Sequence, residues 1–211
     1  MSLNLTRFAR PDRGALFVVT GASGTGKTTL VKEALATIPA LSFSVSATTR
    51  APRVGEVSGR DYHFVSQERY AEMVEAGAFL EWAEVYGNRY GTLRAPVEAA
   101  LARGESILLE IDAQGAAQVR AALPDAVFIF ILPPSIDTIE ARLRGRSTDS
   151  EAIIQRRLAD ARLQLSRCGE FEYLLVNDDL NSSYDQLQAI LIAELLRARR
   201  RASLVSQFTA G

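Results

Sequence analysis

The chain has 211 residues, of which 47% are apolar and 23% charged, the balance of a soluble globular domain with a core of its own. A net charge of −1 speaks against a general nucleic-acid binder, and no apolar run approaches the ~18 residues that span a bilayer. The single cysteine, Cys168, excludes an internal disulfide and fits a reducing compartment, and the single histidine, His63, reads as a packed or surface side chain more readily than as part of a triad.

The polar, basic start, MSLNLTRFARPDRG, lacks the apolar core of a secretory signal and reads as a short lead-in. The apolar run 16–19 reads as a buried strand. It enters Gly21-Ala22-Ser23-Gly24-Thr25-Gly26-Lys27-Thr28, which matches G-x-x-x-x-G-K-[ST] at every fixed position. A helical pattern follows, with Leu30, Val31, Ala34, Leu35 and Ile38 on one face and Pro39 as its stop. Strand, glycine loop and helix is the context that separates a phosphate site from a chance glycine-rich turn. Glycines let backbone N–H groups close on an anion, and the helix start adds a positive end. Lys27 supplies a cation for terminal phosphates and Thr28 a hydroxyl for Mg²⁺.

Between 41 and 95 the texture changes to short strands and turns around one helix, which reads as a small insertion. Leu41, Phe43, Val45 and Ala47 alternate with Ser42, Ser44, Ser46 and Thr48, the period of one half-buried strand. The loop after it carries Arg50 and Arg53, three apart, which suit a phosphate dianion or form a solvated basic loop. Residues 59–65 read as another short strand, with Tyr62 able to present its hydroxyl. A helix follows, capped by Ser66 and stopped at Gly77. The run 79–85 is strand-like, and Glu81 within it is either on an exposed face or functional. Asn88 follows Gly87 in a turn, and Tyr90-Gly91-Thr92 leads to a helix from about Pro96 to Gly104.

The run 106–112 reads as a buried strand ending in Glu110 and Asp112, where a Mg²⁺-water or substrate contact is expected after a phosphate loop. A helix over 114–123, a strand over 126–132 stopped by Pro133-Pro134, and a helix capped by Ser135 follow. Arg142, Arg144 and Arg146 crowd a short loop before a long helix over 150–166 that carries Arg156 and Arg157. This is either a lid, over about 142–158, or a solvated helix–loop–helix. A last strand over 173–176 ends in Asn177, and a long helix from about Ser182 ends in Arg197, Arg199, Arg200 and Arg201. These arginines read as a solvated cluster complementing the helix dipole, with a nucleic-acid patch as the rival.

Alternating strands and helices predict an α/β fold: a parallel sheet with helices on both faces, an inserted small mixed α/β unit at 41–95 and a helical lid. The core would comprise 14–40 and 96–205. The glycine loop, Asp112, the Pro133 turn and Asn177 all fall at the carboxyl ends of strands, where such sheets bind ligands.

Several motifs in fixed order then become recognisable: G-A-S-G-T-G-K-T at 21–28, S-A-T-T-R-A-P-R-x-G-E at 46–56, D-Y-x-F at 61–64, F-L-E-W-A at 79–83, Y-G-T at 90–92, I-D-x-Q-G at 111–115, R-G-R at 144–146 and N-D-D-L at 177–180. Over about residues 14–200 the chain resembles the guanylate kinases, P-loop nucleoside monophosphate kinases that phosphorylate GMP with ATP. The resemblance implies a cytoplasmic enzyme of purine nucleotide metabolism that binds ATP with Mg²⁺, takes GMP and also dGMP, and uses no nucleic acid or membrane; it leaves a homo-oligomer open.

By the same resemblance, ATP would lie on Gly21, Ala22, Ser23, Gly24, Thr25, Gly26, Lys27, Thr28 and Thr29, with Arg146 on its phosphates and Asn177 near the adenine. The GMP phosphate would be held by Arg50, Arg53, Tyr62 and Tyr90, and the guanine read by Glu81, Ser46 and Thr92 with Asp112 close by. Lys27, Arg50, Arg146, Arg157 and Asp112 would serve catalysis, and Thr28 the metal. Three positions depart from the common pattern: Thr92 stands where Ser is common, Glu110 where Asp is common, and Ser147 where Gly is frequent. The rivals are an adenylate or sugar kinase on the same architecture, a guanylate-kinase-like binding module without catalysis, and a nucleic-acid binder using the C-terminal arginines.

Overall fold

The computed structural model describes residues 11–38, 41–85, 87–144 and 150–209. The run of β-branched and aromatic residues after Ala15 forms β1 (Leu16–Thr20), whose five residues are all buried. It lies at the centre of a five-stranded sheet that also holds β2 (Leu41–Phe43), β7 (Ser106–Glu110), β8 (Val127–Leu132) and β9 (Tyr173–Val176). The order is β2-β7-β1-β8-β9, and every pairing is parallel. Parallel strands need both faces covered, and β1 divides its side chains between the two. Phe17 and Val19 pack with Leu30, Val31 and Ala34 of α1 (Lys27–Thr37) and Leu187 and Leu191 of α7 (Leu180–Leu195). Leu16 and Val18 face Val97 and Leu101 of α3 (Arg94–Ala102) and Ala116 and Val119 of α4 (Ala113–Ala122).

A second, four-stranded sheet is built from residues 47–93 and has the order β4-β3-β6-β5. Its strands are β3 (Ala47–Thr48), β4 (His63–Phe64), β5 (Phe79–Val85) and β6 (Asn88–Leu93). Behind it packs α2 (Gln67–Glu75), whose N-cap Ser66 accepts from the Arg69 N–H as expected. Buried Tyr70 stacks on Phe79, with ring centroids 4.7 Å apart. On the other side of the core, α5 (Ile136–Arg144) and α6 (Glu151–Leu165) pack through Ile139, Leu143, Ile154 and Leu158. Among the described residues no helix is long and apolar enough to cross a membrane.

Four expectations need correction. The alternating run 41–48 is not one strand. The chain leaves the first sheet after Phe43 and enters the second at Ala47, so Phe43 is 49% exposed and Ser44 is buried at 7%. The strand expected over 59–65 contracts to His63–Phe64, because Val57 to Asp61 form a turn closed by Asp61 on the Val57 N–H. The turn expected at Gly87-Asn88 ends at Gly87, and residues 88–93 form a strand, because β5 and β6 are an antiparallel pair around Gly87, which has φ +75°. The helix after it starts at Arg94, and Pro96 sits in the first turn, where a missing N–H costs no helix bond.

The fourth correction concerns the C-terminal arginines: Arg197 and Arg199 are exposed as expected, but Arg200 is buried. Arg200 is 5% exposed and donates to the Gly14 and Asp125 carbonyls at 3.0 and 3.1 Å. Arg199 pairs with the Asp125 carboxylate at 3.0 Å, and Arg197 with buried Glu194 at 2.6 Å. The reason is topological. A short 3-10 turn, Ala198–Arg200, places the Arg200 side chain over main-chain carbonyls at residues 14 and 125. The last helix, α8 (Ala202–Thr209), is then fixed by Asp12, which accepts from the Ser203 N–H and hydroxyl.

Candidate active site

The glycine loop turns from β1 into α1 with no room for larger residues at its ends. A Cβ on Gly21 would lie 2.4 Å from the Ile131 carbonyl oxygen. Gly26, the N-cap of α1, has φ +87°, and a Cβ there would meet the Asn177 amide nitrogen at 2.3 Å. The loop is fixed from behind. Thr25 Oγ1 donates to the Ala22 carbonyl at 2.9 Å, Asn177 Nδ2 to the Thr25 carbonyl at 2.7 Å, and Arg142 to the Gly24 carbonyl at 3.1 Å. With these carbonyls engaged, the N–H side of the loop and the start of α1 are left for an anion.

Lys27 Nζ bonds the Gly21 and Ala22 carbonyls at 2.5 and 3.2 Å. Burial pushes its pKa down, and the negative charges of Glu110 and Asp112 push the other way. Thr28 Oγ1 donates to Glu110 Oε1 at 2.7 Å, linking the loop to the end of β7. Asp112 caps α4, its carboxylate accepting from the Gly115 N–H at 2.8 Å.

The second sheet supplies a different chemistry. Glu81 is 6% exposed, so it does not lie on an exposed face. Its Oε1 accepts from both the N–H and the hydroxyl of Thr92, at 3.1 and 2.6 Å. Burial raises the Glu81 carboxyl above the ordinary glutamate range; Asp112 adds to the shift, and the two Thr92 bonds oppose it. Gly91, between Tyr90 and Thr92, carries no Cβ because one would press on Phe79 and Tyr70 at 2.7 and 2.8 Å. The Tyr62 and Tyr90 rings meet edge to face at 6.0 Å. Arg50 lies 5.4 Å from the Tyr62 ring centroid and grips both oxygens of Glu56 at 2.8 and 3.0 Å.

These two sets share one cleft of about 480 Å³. Gly21, Ser23 and Lys27 line it from the first sheet, Ser46, Tyr62, Glu81 and Tyr90 from the second, and Glu110 and Asp112 between them.

A family model described as guanylate kinase matches residues 13–194. The chain belongs to the guanylate kinase family. Relatives of that name include one from Carboxydothermus hydrogenoformans, 48% identical over 188 residues that make up 89% of this chain and 92% of the relative. Another, from Aromatoleum aromaticum, is 51% identical over 184 residues, 87% of this chain and 90% of its own. A third, from Neisseria meningitidis serogroup A, is 50% identical over 194 residues, 92% and 95%. The crystal structure of guanylate kinase from Anaplasma phagocytophilum superposes with a TM-score of 0.70 at 34% identity, covering 90% of both chains. As a member of the guanylate kinase family, the chain is an enzyme that phosphorylates GMP with ATP.

Of the expected residues, Gly21, Ser23, Lys27, Ser46, Tyr62, Glu81, Tyr90 and Asp112 line the cleft. Arg53 is exposed on its loop; its N–H donates to the Glu56 carboxylate at 2.7 Å and its carbonyl accepts from the Glu56 N–H at 3.1 Å. Arg157 is partly buried on α6, and Arg144 is held by Glu140 and Glu151 across α5 and α6. Arg146 and Ser147 lie outside the described residues. Asn177 points at the loop backbone. Glu56, which sequence reasoning left without a role, is the ion-pair partner of Arg50, six residues away across the Gly55 turn.

Proposed function

We propose that ATP phosphates lie on residues 21–29 of the core (14–40 and 96–205) and that GMP lies on the insertion (41–95), so that the cleft between them carries the family's transfer. The observation that supports this division is that one cleft holds a phosphate-loop lysine from the first sheet and a buried carboxylate from the second. Lys27 suits an anion; Glu81 suits a ligand with hydrogen-bond donors. Guanine presents two adjacent donors, N1–H and the 2-amino group, whereas adenine presents an acceptor at its N1. A site whose buried acceptor is left unpaired by the wrong base can discriminate by about 10⁴-fold.

In this reading Arg50, Arg53, Tyr62 and Tyr90 hold the GMP phosphate, and Ser46, Glu81, Thr92 and Asp112 surround the base. A phosphate oxygen of GMP attacks the γ-phosphorus of ATP in line. The new P–O bond forms as the bond to the β,γ-bridging oxygen breaks, and ADP leaves with that electron pair. Monoester phosphate is mostly dianionic above its second pKa of about 6, so no side chain has to remove a proton. Lys27 exchanges the Gly21 and Ala22 carbonyls for phosphate oxygens and follows the charge of the transferring group. Arg157, and Arg146 outside the described residues, belong to the lid over about 142–158 and face the same charge. Asn177 supports the ATP site through the Thr25 carbonyl.

The residues fit a hard divalent cation such as Mg²⁺. Thr28 Oγ1 and Glu110 Oε1 are oxygen donors 2.7 Å apart at the cleft, and Glu110 reaches Thr28 with the methylene that distinguishes it from Asp. Among the described residues no group of three or more His, Cys, Asp or Glu is placed to hold a metal by itself. That suits Mg²⁺, which takes few protein ligands and completes its shell with phosphate oxygens and water. When bound, it neutralises phosphate charge.

The test is a coupled ADP-release assay with ATP and GMP, dGMP, AMP, CMP or UMP. Turnover confined to the two guanine nucleotides is expected. Comparable turnover with AMP would overturn the assignment of Glu81.

A further inference from the structure

Helix α4 touches the base-reading strand at two places outside the residues so far assigned. Asp112, Gly115 and Gln118 are spaced by three and lie along one stripe of the helix. Gly115 sits under Glu81: a Cβ there would lie 2.9 Å from Glu81 Oε2, 3.4 Å from Ile111 Cδ1 and 3.5 Å from Asp112 Oδ1. One turn on, the Gln118 side chain grips the backbone of Trp82, the residue after Glu81. Its Oε1 accepts from the Trp82 N–H at 3.0 Å, and its Nε2 donates to the Trp82 carbonyl at 2.9 Å.

These bonds matter because β5 is an edge strand of its sheet. An edge presents main-chain groups without a strand partner, and the Gln118 amide supplies the donor and acceptor that a neighbouring strand would. The Glu81 carboxylate is therefore fixed from three directions. Thr92 occupies Oε1 with two bonds, Gly115 gives Oε2 its space, and Gln118 holds the backbone of the next residue. Since Thr92 already uses both lone-pair directions of Oε1, the acceptor capacity left for a base resides chiefly in Oε2. The placement of that oxygen is set by α4.

We propose that Gly115 and Gln118 are positioning residues for guanine recognition: Gly115 leaves the space in which Glu81 Oε2 sits, and Gln118 clamps the strand that carries it. The proposal rests on the reading that Glu81 accepts hydrogen bonds from guanine. Neither residue lines the cleft. A merely structural contact between α4 and β5 predicts something different, and Gly115→Ala separates the two. Alanine is the better helix former at an interior position, so the fold loses nothing at the backbone. The atom its Cβ meets is the far end of the Glu81 side chain, so the adjustment falls on the carboxylate that Thr92 holds and not on the backbone.

The experiment compares steady-state constants for GMP and for inosine monophosphate, which lacks the 2-amino donor, in the full-length chain. For Gly115→Ala we expect kcat/KM for GMP to fall about tenfold and the preference for GMP over inosine monophosphate to fall severalfold. The KM for ATP should stay within about twofold and the melting temperature should not drop. Gln118→Met keeps the volume and removes both bonds; it should shift the same ratios in the same direction by about threefold to tenfold. Should Gly115→Ala not fold, Gln118→Met carries the test alone. Variants that retain the wild-type preference, or that raise the KM for ATP as much as that for GMP, overturn the proposal. Glu81→Gln is the control. If it too retains the preference, the base-reading assignment itself fails; if it alone loses the preference, only the role of α4 fails.

Discussion

The donor loop and the acceptor sheet face one cleft and are built in opposite ways. In the loop, the backbone carbonyls are tied up from behind by Thr25, Asn177 and Arg142, so that backbone N–H groups and one lysine form the binding surface. In the acceptor sheet the backbone is committed to strand pairing, and side chains face the cleft: Glu81, Tyr62 and Tyr90. Backbone amides recognise a phosphate that many ligands share. A carboxylate with one oxygen already occupied recognises a particular donor pattern. In the proposed division, the first region fixes the class of reaction and the second the substrate.

The sharpest way to break this comparison is to remove the one side chain on which the loop depends. Lys27→Ala should lower kcat by about 10²-fold or more, through loss of charge stabilisation in the transition state. The fold should survive, because the amine bonds only the Gly21 and Ala22 carbonyls at the cleft. Unchanged far-ultraviolet circular dichroism beside near-normal turnover would remove Lys27 from the mechanism. Next is Glu81→Gln. An amide nitrogen aimed at guanine's donors should lower kcat/KM for GMP by about 10²-fold while leaving the KM for ATP within about twofold. Equal effects on both substrates would mean that the sheet positions the nucleotide without reading it.

A smaller effect tests the support behind the loop. Asn177→Ala leaves the Thr25 carbonyl buried without its partner, a cost of about 1–3 kcal/mol. Thermal stability should fall by that amount, and the KM for ATP should rise severalfold with the KM for GMP unchanged. A rise in the GMP constant alone would place Asn177 on the wrong side of the comparison.

The donor half was legible in the sequence because its determinants are contiguous. Strand, glycine loop and helix occupy residues 16–37 without a break, and each glycine sits where the turn needs it. The parallel order of the core followed from buried strands alternating with helices. The acceptor half was legible in its side chains and less so in its strands. Glu81 stands out as an acid inside an apolar run, but the break between Phe43 and Ala47 and the pairing of 88–93 depend on which sheet each segment joins. Arg200 failed for the same reason. Its partners are at residues 14 and 125, and nothing local to an arginine-rich helix end announces burial. Gln118 was invisible as well, because its amide matters only once β5 has an open edge beside it.

The smallest effect uses pH to ask whether Glu81 acts as a charged acceptor. Burial, with Asp112 beside it, raises the Glu81 carboxyl above the ordinary glutamate value, so it takes up a proton at a higher pH than a surface glutamate does. The protonated form is neutral and carries a hydroxyl that faces guanine's donors, so GMP affinity should weaken as pH falls through the weakly acidic range. The GMP phosphate titrates in the same range, with a pKa of about 6, and would hide this in a single profile. The ratio of GMP dissociation constants for wild type and Glu81→Gln cancels that contribution, since the ligand is the same. The wild-type advantage should shrink by a few-fold between about pH 8 and about pH 5. Stability runs the other way. The folded state holds this proton more tightly than the unfolded chain, so the Glu81 contribution to stability is full below its ordinary pKa and is lost as pH rises through the raised one. The Glu81 parts of binding and stability should therefore move in opposite directions over one pH window, and both parts should be absent in Glu81→Gln. A flat affinity ratio would make Glu81 a neutral wall of the site, with guanine read by Thr92 and Ser46 instead.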